Sequence, residues 1–196
     1  DFSGARPTVA ALQAAGVVAV GRYVTGGGSK QIGLAELDYY LSGGIGVFFI
    51  CEYTANDVAS GFAGGVTNAK VSQAAVQQLG CWPAPIYMTA DEDVPNPLDA
   101  LPYYQGASSV LTPALTGDYD EGALMIDLAA QGITTYHWLS ESTGFPGYQQ
   151  ALDDGISAAE EDVLAGGLQV VVRDLVGAGA GEACNGLRVL PDDMDL

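Results

Sequence analysis

IGVFFICEY (45–53) and APIYMTADED (84–93) are the stretches that decide the fold. The first is apolar on both of its faces from Ile45 to Cys51 and then turns to Glu52. The second emerges from Pro83 and Pro85, stops before Pro95, and ends in three acids, Asp91, Glu92 and Asp93. Strands that are apolar on both faces belong to parallel sheets covered by helices. VVAVGRY (17–23) and ITTYHWL (133–139) read the same way, with a weaker strand at 114–119 and two more at 168–175 and 187–190. Helical spacing fills the gaps: 7–15 with Pro7 at its start and Gly16 as its stop, Leu34, Leu37 and Leu41 before Gly43, then 66–79, 97–111, 121–131 and 156–163.

Strand and helix therefore alternate about seven times. A first strand ending at Asp1 brings the count close to eight, which predicts an α/β fold closed as a compact (β/α)₈ TIM-type barrel. An open doubly wound sheet is the alternative. Against it, the glycines at 26–28 lack the dinucleotide-binding spacing and read as a flexible loop.

The chain has 196 residues, 48% of them apolar, enough for one domain with a substantial core, expected over 1–196 as a module of a larger protein. It begins at Asp1 without a leader or an initiator Met, which predicts that a preceding segment was removed. Six basic side chains stand against 24 acidic ones, a net charge of −18. That excludes nucleic acid as a partner, because phosphate binding needs Lys and Arg, and it disfavours anionic membrane surfaces. No apolar run approaches the roughly 20 residues of a membrane-spanning helix.

Three cysteines, Cys51, Cys81 and Cys184, have no metal-ligand spacing, and with a single histidine a zinc site is not expected. No cofactor or metal is expected. Cys51 reads as a buried thiol. Cys81 and Cys184 are expected to pair only if the protein is exported. His137 lacks a nucleophile elbow for Ser–His–Asp chemistry and reads as structural.

In a parallel barrel the C-terminal strand ends build the active site. Asp1, Glu52 and the Asp91/Asp93 pair fall at three such ends. Acids are seldom buried without a partner or a task, and crowded carboxyls push one another's pKa upward, which supplies an acid and a base at neutral pH. Paired carboxyls across a cleft hydrolyse glycosidic bonds. The competing readings are acids scattered by composition and an all-oxygen Ca²⁺ or Mg²⁺ site. Tyr23, Tyr87, Tyr136 and Trp138 lie at or beside strand ends, where aromatic rings stack on sugars; core packing is the alternative for each.

The ordered pieces DFSGARPTVAALQAAG (1–16), GRYV (21–24), FFICEY (48–53), IYMTADEDV (86–94), TYHW (135–138) and MDL (194–196) span nearly the whole chain. Together they resemble the glycoside-hydrolase-like domain of secreted actinobacterial proteins and of phage lysins and tail proteins, formerly domain of unknown function 1906. The resemblance implies a TIM-type barrel akin to family 25 lysozymes. It assigns catalytic acids to Asp1, Asp91 and Asp93, with Glu52 as a further acid. The lysozymes favour Glu where this chain has Asp93, and relatives tend to carry Gln where it has Arg173. The implied function is binding and hydrolysis of a bacterial cell-wall polysaccharide by a secreted or virion-associated protein, with other virion proteins as further partners. Asp93 or Glu52 is expected as general acid, Asp91 as its partner, and Asp1 as an orienting group. The alternatives are a non-catalytic carbohydrate-binding or structural module and an acidic virion surface domain.

Overall fold

The computed structural model describes residues 1–140 and 144–155. Five strands, β1 (Ala19–Tyr23), β2 (Gly46–Cys51), β3 (Ile86–Thr89), β4 (Thr116–Asp120) and β5 (Tyr136–Leu139), form one all-parallel sheet in sequence order. Helices α1 (Val9–Ala14), α2 (Leu34–Ser42), α3 (Gly61–Gln78), α4 (Pro97–Leu111), α5 (Gly122–Ala130) and α6 (Tyr148–Asp153) accompany them. None of the described helices is long and apolar enough to cross a membrane.

The sheet is a curled half-barrel and not the closed eight-stranded barrel expected from the sequence. Sequential parallel order is what the early strands of a barrel show, but the described sheet stops at β5. The strand expected to end at Asp1 does not form. In its place, side chains hold residues 1 and 2 at the β1 edge: Arg22 Nη1 donates to the Phe2 carbonyl, and its guanidinium lies 4.5 Å from the centre of the Phe2 ring. The strands expected at 168–175 and 187–190 and the helix at 156–163 lie outside the described residues. The expected strand 84–93 is also shorter, ending at Thr89.

Alternation divides the core into two. Val20, Val47, Phe49, Ile86 and Met88 face the helices and join the larger core. Tyr23, Phe48, Ile50, Tyr87 and Trp138 face the concave side and form a second, smaller one. There the rings meet edge to face: Phe48 with Tyr87 and Trp138, centroids 5.4 Å apart in each case. Glycine on a neighbouring strand makes the room. Gly21 is the register partner of Phe48, and Gly117 of Tyr87. A Cβ at Gly21 would stand 2.7 Å from the Phe48 ring, and one at Gly117 2.8 Å from the Tyr87 ring.

α3 and α4 pack backbone to backbone. A Cβ at Gly65 would lie 1.9 Å from the Tyr103 carbonyl oxygen, and one at Gly106 2.1 Å from that of Phe62. Neither carbonyl can move without moving its helix. We expect Gly65→Ala and Gly106→Ala each to lower stability by about 1–3 kcal/mol or more, as overpacking does. Gly4→Ala, with open space around it, should change stability by less than about 0.5 kcal/mol. Urea denaturation of the three variants checks this.

Candidate active site

Just beyond β2, the backbone of Glu52 is fixed by Thr25. The Glu52 amide donates to Thr25 Oγ1 (2.9 Å), and that hydroxyl donates to the Glu52 carbonyl (3.2 Å). Asp57 then receives the amides of Tyr53 (2.8 Å) and Thr54 (3.0 Å), which sets the turn into α3. The Glu52 carboxylate is ion-paired with Lys30, whose ammonium lies 4.3 Å from the centre of the Tyr23 ring. Tyr23 in turn donates its hydroxyl to Asp1 Oδ2. On the other side, the Asp91 amide donates to the Ala55 carbonyl (3.1 Å), and the Tyr119 hydroxyl lies 3.5 Å from both Asp91 Oδ1 and Ser140 Oγ.

Burial raises the Tyr23 phenol well above its ordinary value, and the charges of Glu52 and Asp91 raise it further. Burial likewise raises Tyr119, with Asp91 and Glu52 adding to it and the Ser140 hydrogen bond opposing. Both phenols therefore stay protonated and act as donors. Glu52 and Asp91 thus both act on the same pair of tyrosines.

The rim thus brings together Asp1, Glu52, Asp91 and Tyr23. Asp93, two residues further on, lies beside Glu121. With β3 ending at Thr89, residues 91–93 have no ladder to impose alternation, so the expected common direction of Asp91 and Asp93 has no basis. Tyr87 and Trp138 are 1% and 4% exposed and make the floor under the rim, with Tyr136 half-buried next to them. Lys30, Tyr119 and Ser140 were not singled out in the sequence. Tyr119 could have been found, because alternation through TGDYD (116–120) sends it to the same side as Gly117.

The opposite side of β4 and β5 carries His137, as alternation requires. Its Nδ1 lies 2.8 Å from Asp118 Oδ2, which also accepts the Thr134 hydroxyl (2.5 Å). Burial alone would lower His137, but the hydrogen bond and charge of Asp118 carry it above its ordinary value. Asp120 is fully buried, and desolvation, with Asp118 and Glu121 as like charges, pushes its carboxyl well above the usual range. Among the described residues no group of three or more His, Cys, Asp or Glu side chains is arranged to hold a metal ion. Cys51 is a free, buried thiol pushed up to about 12 by desolvation. Cys81 is disulfide-bonded, while Cys184 lies outside the described residues.

A family model described as "Rv2525c-like, glycoside hydrolase-like domain" matches residues 10–143. Two similar solved structures are crystal forms of the Mycobacterium tuberculosis Tat-secreted protein Rv2525c. The form in complex with HEPES is 21% identical, with a TM-score of 0.67 over 84% of this chain and 90% of that one. The form in complex with L-tartrate is 21% identical, with a TM-score of 0.66 over 85% and 90%. At this identity the likeness concerns the fold. No curated protein sequence matches.

Two outcomes follow from the buried charges. Arg22 is fully buried, with Nε 2.6 Å from Glu36 Oε1. Arg22→Met should lower stability by about 3–5 kcal/mol, the cost of breaking a buried pair, as measured by denaturant titration. The second outcome concerns pH. Asp120 and His137 both have raised pKa values in the fold, so the folded protein holds their protons more tightly than the unfolded chain. Their effect on stability is most favourable below the unfolded values, near 4 and 6.5, and declines as pH rises toward the folded ones. These two groups should therefore contribute more stability at pH 5 than at pH 8. Asp120→Asn should flatten that dependence and stabilise the protein at pH 8; thermal melts at the two pH values read it.

Proposed function

Because the chain belongs to the Rv2525c-like, glycoside hydrolase-like domain family, we propose that its rim binds and hydrolyses a bacterial cell-wall glycan. The observation that carries the reading is that Glu52, through Lys30, adjoins Tyr23, and that Asp91 adjoins Tyr119, on one rim. Two carboxyls flanking a cleft, one ionised and one protonated, are what glycoside hydrolysis requires. Glu52, ion-paired with Lys30, is the ionised partner that stabilises the oxocarbenium-like charge or activates water. Asp91 takes the part of proton donor to the leaving oxygen; in its acid form it donates to the Tyr119 hydroxyl oxygen 3.5 Å away, which can accept as well as donate. This reverses the expected order, in which Glu52 or Asp93 was the acid. Asp1, held by Tyr23, orients a sugar hydroxyl.

The L-tartrate complex of the mycobacterial protein supports a hydroxyl-rich, acid-bearing ligand, since tartrate carries both groups. Export is part of the proposal. The mycobacterial protein is Tat-secreted, and a disulfide at Cys81 fits an oxidising compartment. The second reading is a carbohydrate-binding module without turnover, favoured by the engagement of Glu52 with Lys30.

Turnover and binding on peptidoglycan and chitin-type oligomers separate the two. The expected result is hydrolysis by the parent. Asp91→Asn and Glu52→Gln should each lower kcat by about 10²–10⁴-fold, the range for loss of an acid or base group, with binding retained. A parent that binds these glycans without cleaving them, and variants that bind equally well, would establish the binding module instead.

A further inference from the structure

A second set of carboxyls adjoins the loop that carries Asp91 and Asp93, and the proposed chemistry does not use it. Asp118 and Asp120 project from β4, and Glu121 is the residue that precedes α5; all three are fully buried. Four of their oxygens, Asp118 Oδ1, both of Asp120 and Glu121 Oε1, lack a hydrogen bond of good geometry, although the Tyr104 phenol stands next to Asp120 and Asp93 next to Glu121. Buried polar atoms seldom stay unsatisfied, and adjacent buried charges of one sign are costly.

The three differ in what answers them. Asp118 has His137 and Thr134 near β5. Asp120 meets the Tyr104 phenol of α4, with Asp118 on its own strand and Glu121 next in the chain as like charges. Glu121 reaches across to the loop: its Oε2 accepts the Val94 amide at 3.2 Å, and Asp93 lies beside it. No lysine or arginine is among these neighbours, and the carboxyls do not converge as metal ligands do. A proton is the counter-charge that the cluster can take up.

We propose that Asp118, Asp120 and Glu121 form a proton-held latch: with Asp120 protonated, Glu121 keeps the 92–96 segment docked through the Val94 amide, and loss of that proton loosens the segment next to Asp91, which itself stays tied to the Ala55 carbonyl. The step is an ionisation in which the Asp120 O–H bond breaks and water takes the proton. The new charge adjoins Glu121, whose partner, the Val94 amide, belongs to a loop and not to the sheet, so that this contact is the one that gives way. The rim is thereby assembled in acid and loosened as pH rises. The consequence for ligand binding rests on the glycan reading; the latch itself does not.

Carboxyl ¹³C and amide ¹⁵N NMR of the full chain between pH 4 and 8 tests the latch. The expected result is that Asp120 titrates above the ordinary Asp range and that the Val94 amide shifts with the same midpoint. Asp120→Asn, a neutral near-isostere, should abolish that transition at Val94. An Asp120 carboxyl titrating in the ordinary range, or a Val94 amide indifferent to it, overturns the proposal. If Asp120→Asn does not fold, the two parent curves decide alone. Binding of chitin-type oligomers at pH 5 and 8 is the second measurement. The parent should weaken at least tenfold between them and Asp120→Asn should not. A parent that binds equally at both pH values overturns the coupling to the rim. Absence of binding at either pH, with the Val94 transition present, strikes the glycan reading and leaves the latch standing.

Discussion

The buried guanidinium of Arg22 is the constraint on which the rim depends. It points from β1 toward the helix-covered side, where a cation must be paired and fully hydrogen-bonded to persist. Each of its nitrogens has a partner from a different part of the chain: Glu36 on α2, the Phe2 carbonyl at the start, and the Lys30 carbonyl after the glycine-rich loop (3.0 Å). Two of those partners adjoin rim residues. Fixing Phe2 places Asp1 against Tyr23, and fixing the Lys30 backbone places its ammonium between Tyr23 and Glu52. One side chain on the hidden face of β1 thus arranges two charged groups on the face where the chemistry is proposed.

That arrangement explains how a chain of net charge −18 can set three acids on one rim. Asp1 is answered by a phenol, Glu52 by an ammonium, and Asp91 by a second phenol. Of the four described Lys and Arg residues, Arg6, Arg22 and Lys30 lie together at the β1 side. The scarce positive charge is concentrated where the acids need it. The β4 side has none to spare, and its carboxyls are relieved by His137 and by proton uptake.

What was legible in the sequence follows from how local each signal is. Apolar runs located four of the five described strands, with β4 expected only as a weaker strand at 114–119, and Pro97 and Thr112 bracket a helix found at 97–111 as expected. The family resemblance held over residues 10–143. Closure into eight strands was an extrapolation from counting. An unpaired Asp1–Phe2 segment shows that an acid at an expected strand end does not require the strand. The Asp91/Asp93 pair was read from alternation, which holds only inside a ladder, and β3 ends before it, at Thr89. Lys30 was hidden because its role depends on Arg22 holding its backbone, a contact between residues far from any shared motif. Asp118 and Asp120 were hidden by the rule that found the sheet: strands apolar on both faces leave no place for two buried acids on β4.

The glycine–aromatic partners of the concave face bear on how this surface can vary. Phe48 fills the space over Gly21, and Tyr87 the space over Gly117, so bulk on one strand occupies the gap left by its neighbour. Volume there belongs to the pair and not to either residue. A larger side chain at Gly21 or Gly117 fits only if the facing ring shrinks, and a smaller residue at Phe48 or Tyr87 leaves a hole that its glycine partner cannot close. The depth of the floor beneath the rim is therefore inherited two positions at a time, and single substitutions sample only the broken intermediates between one well-packed depth and the next.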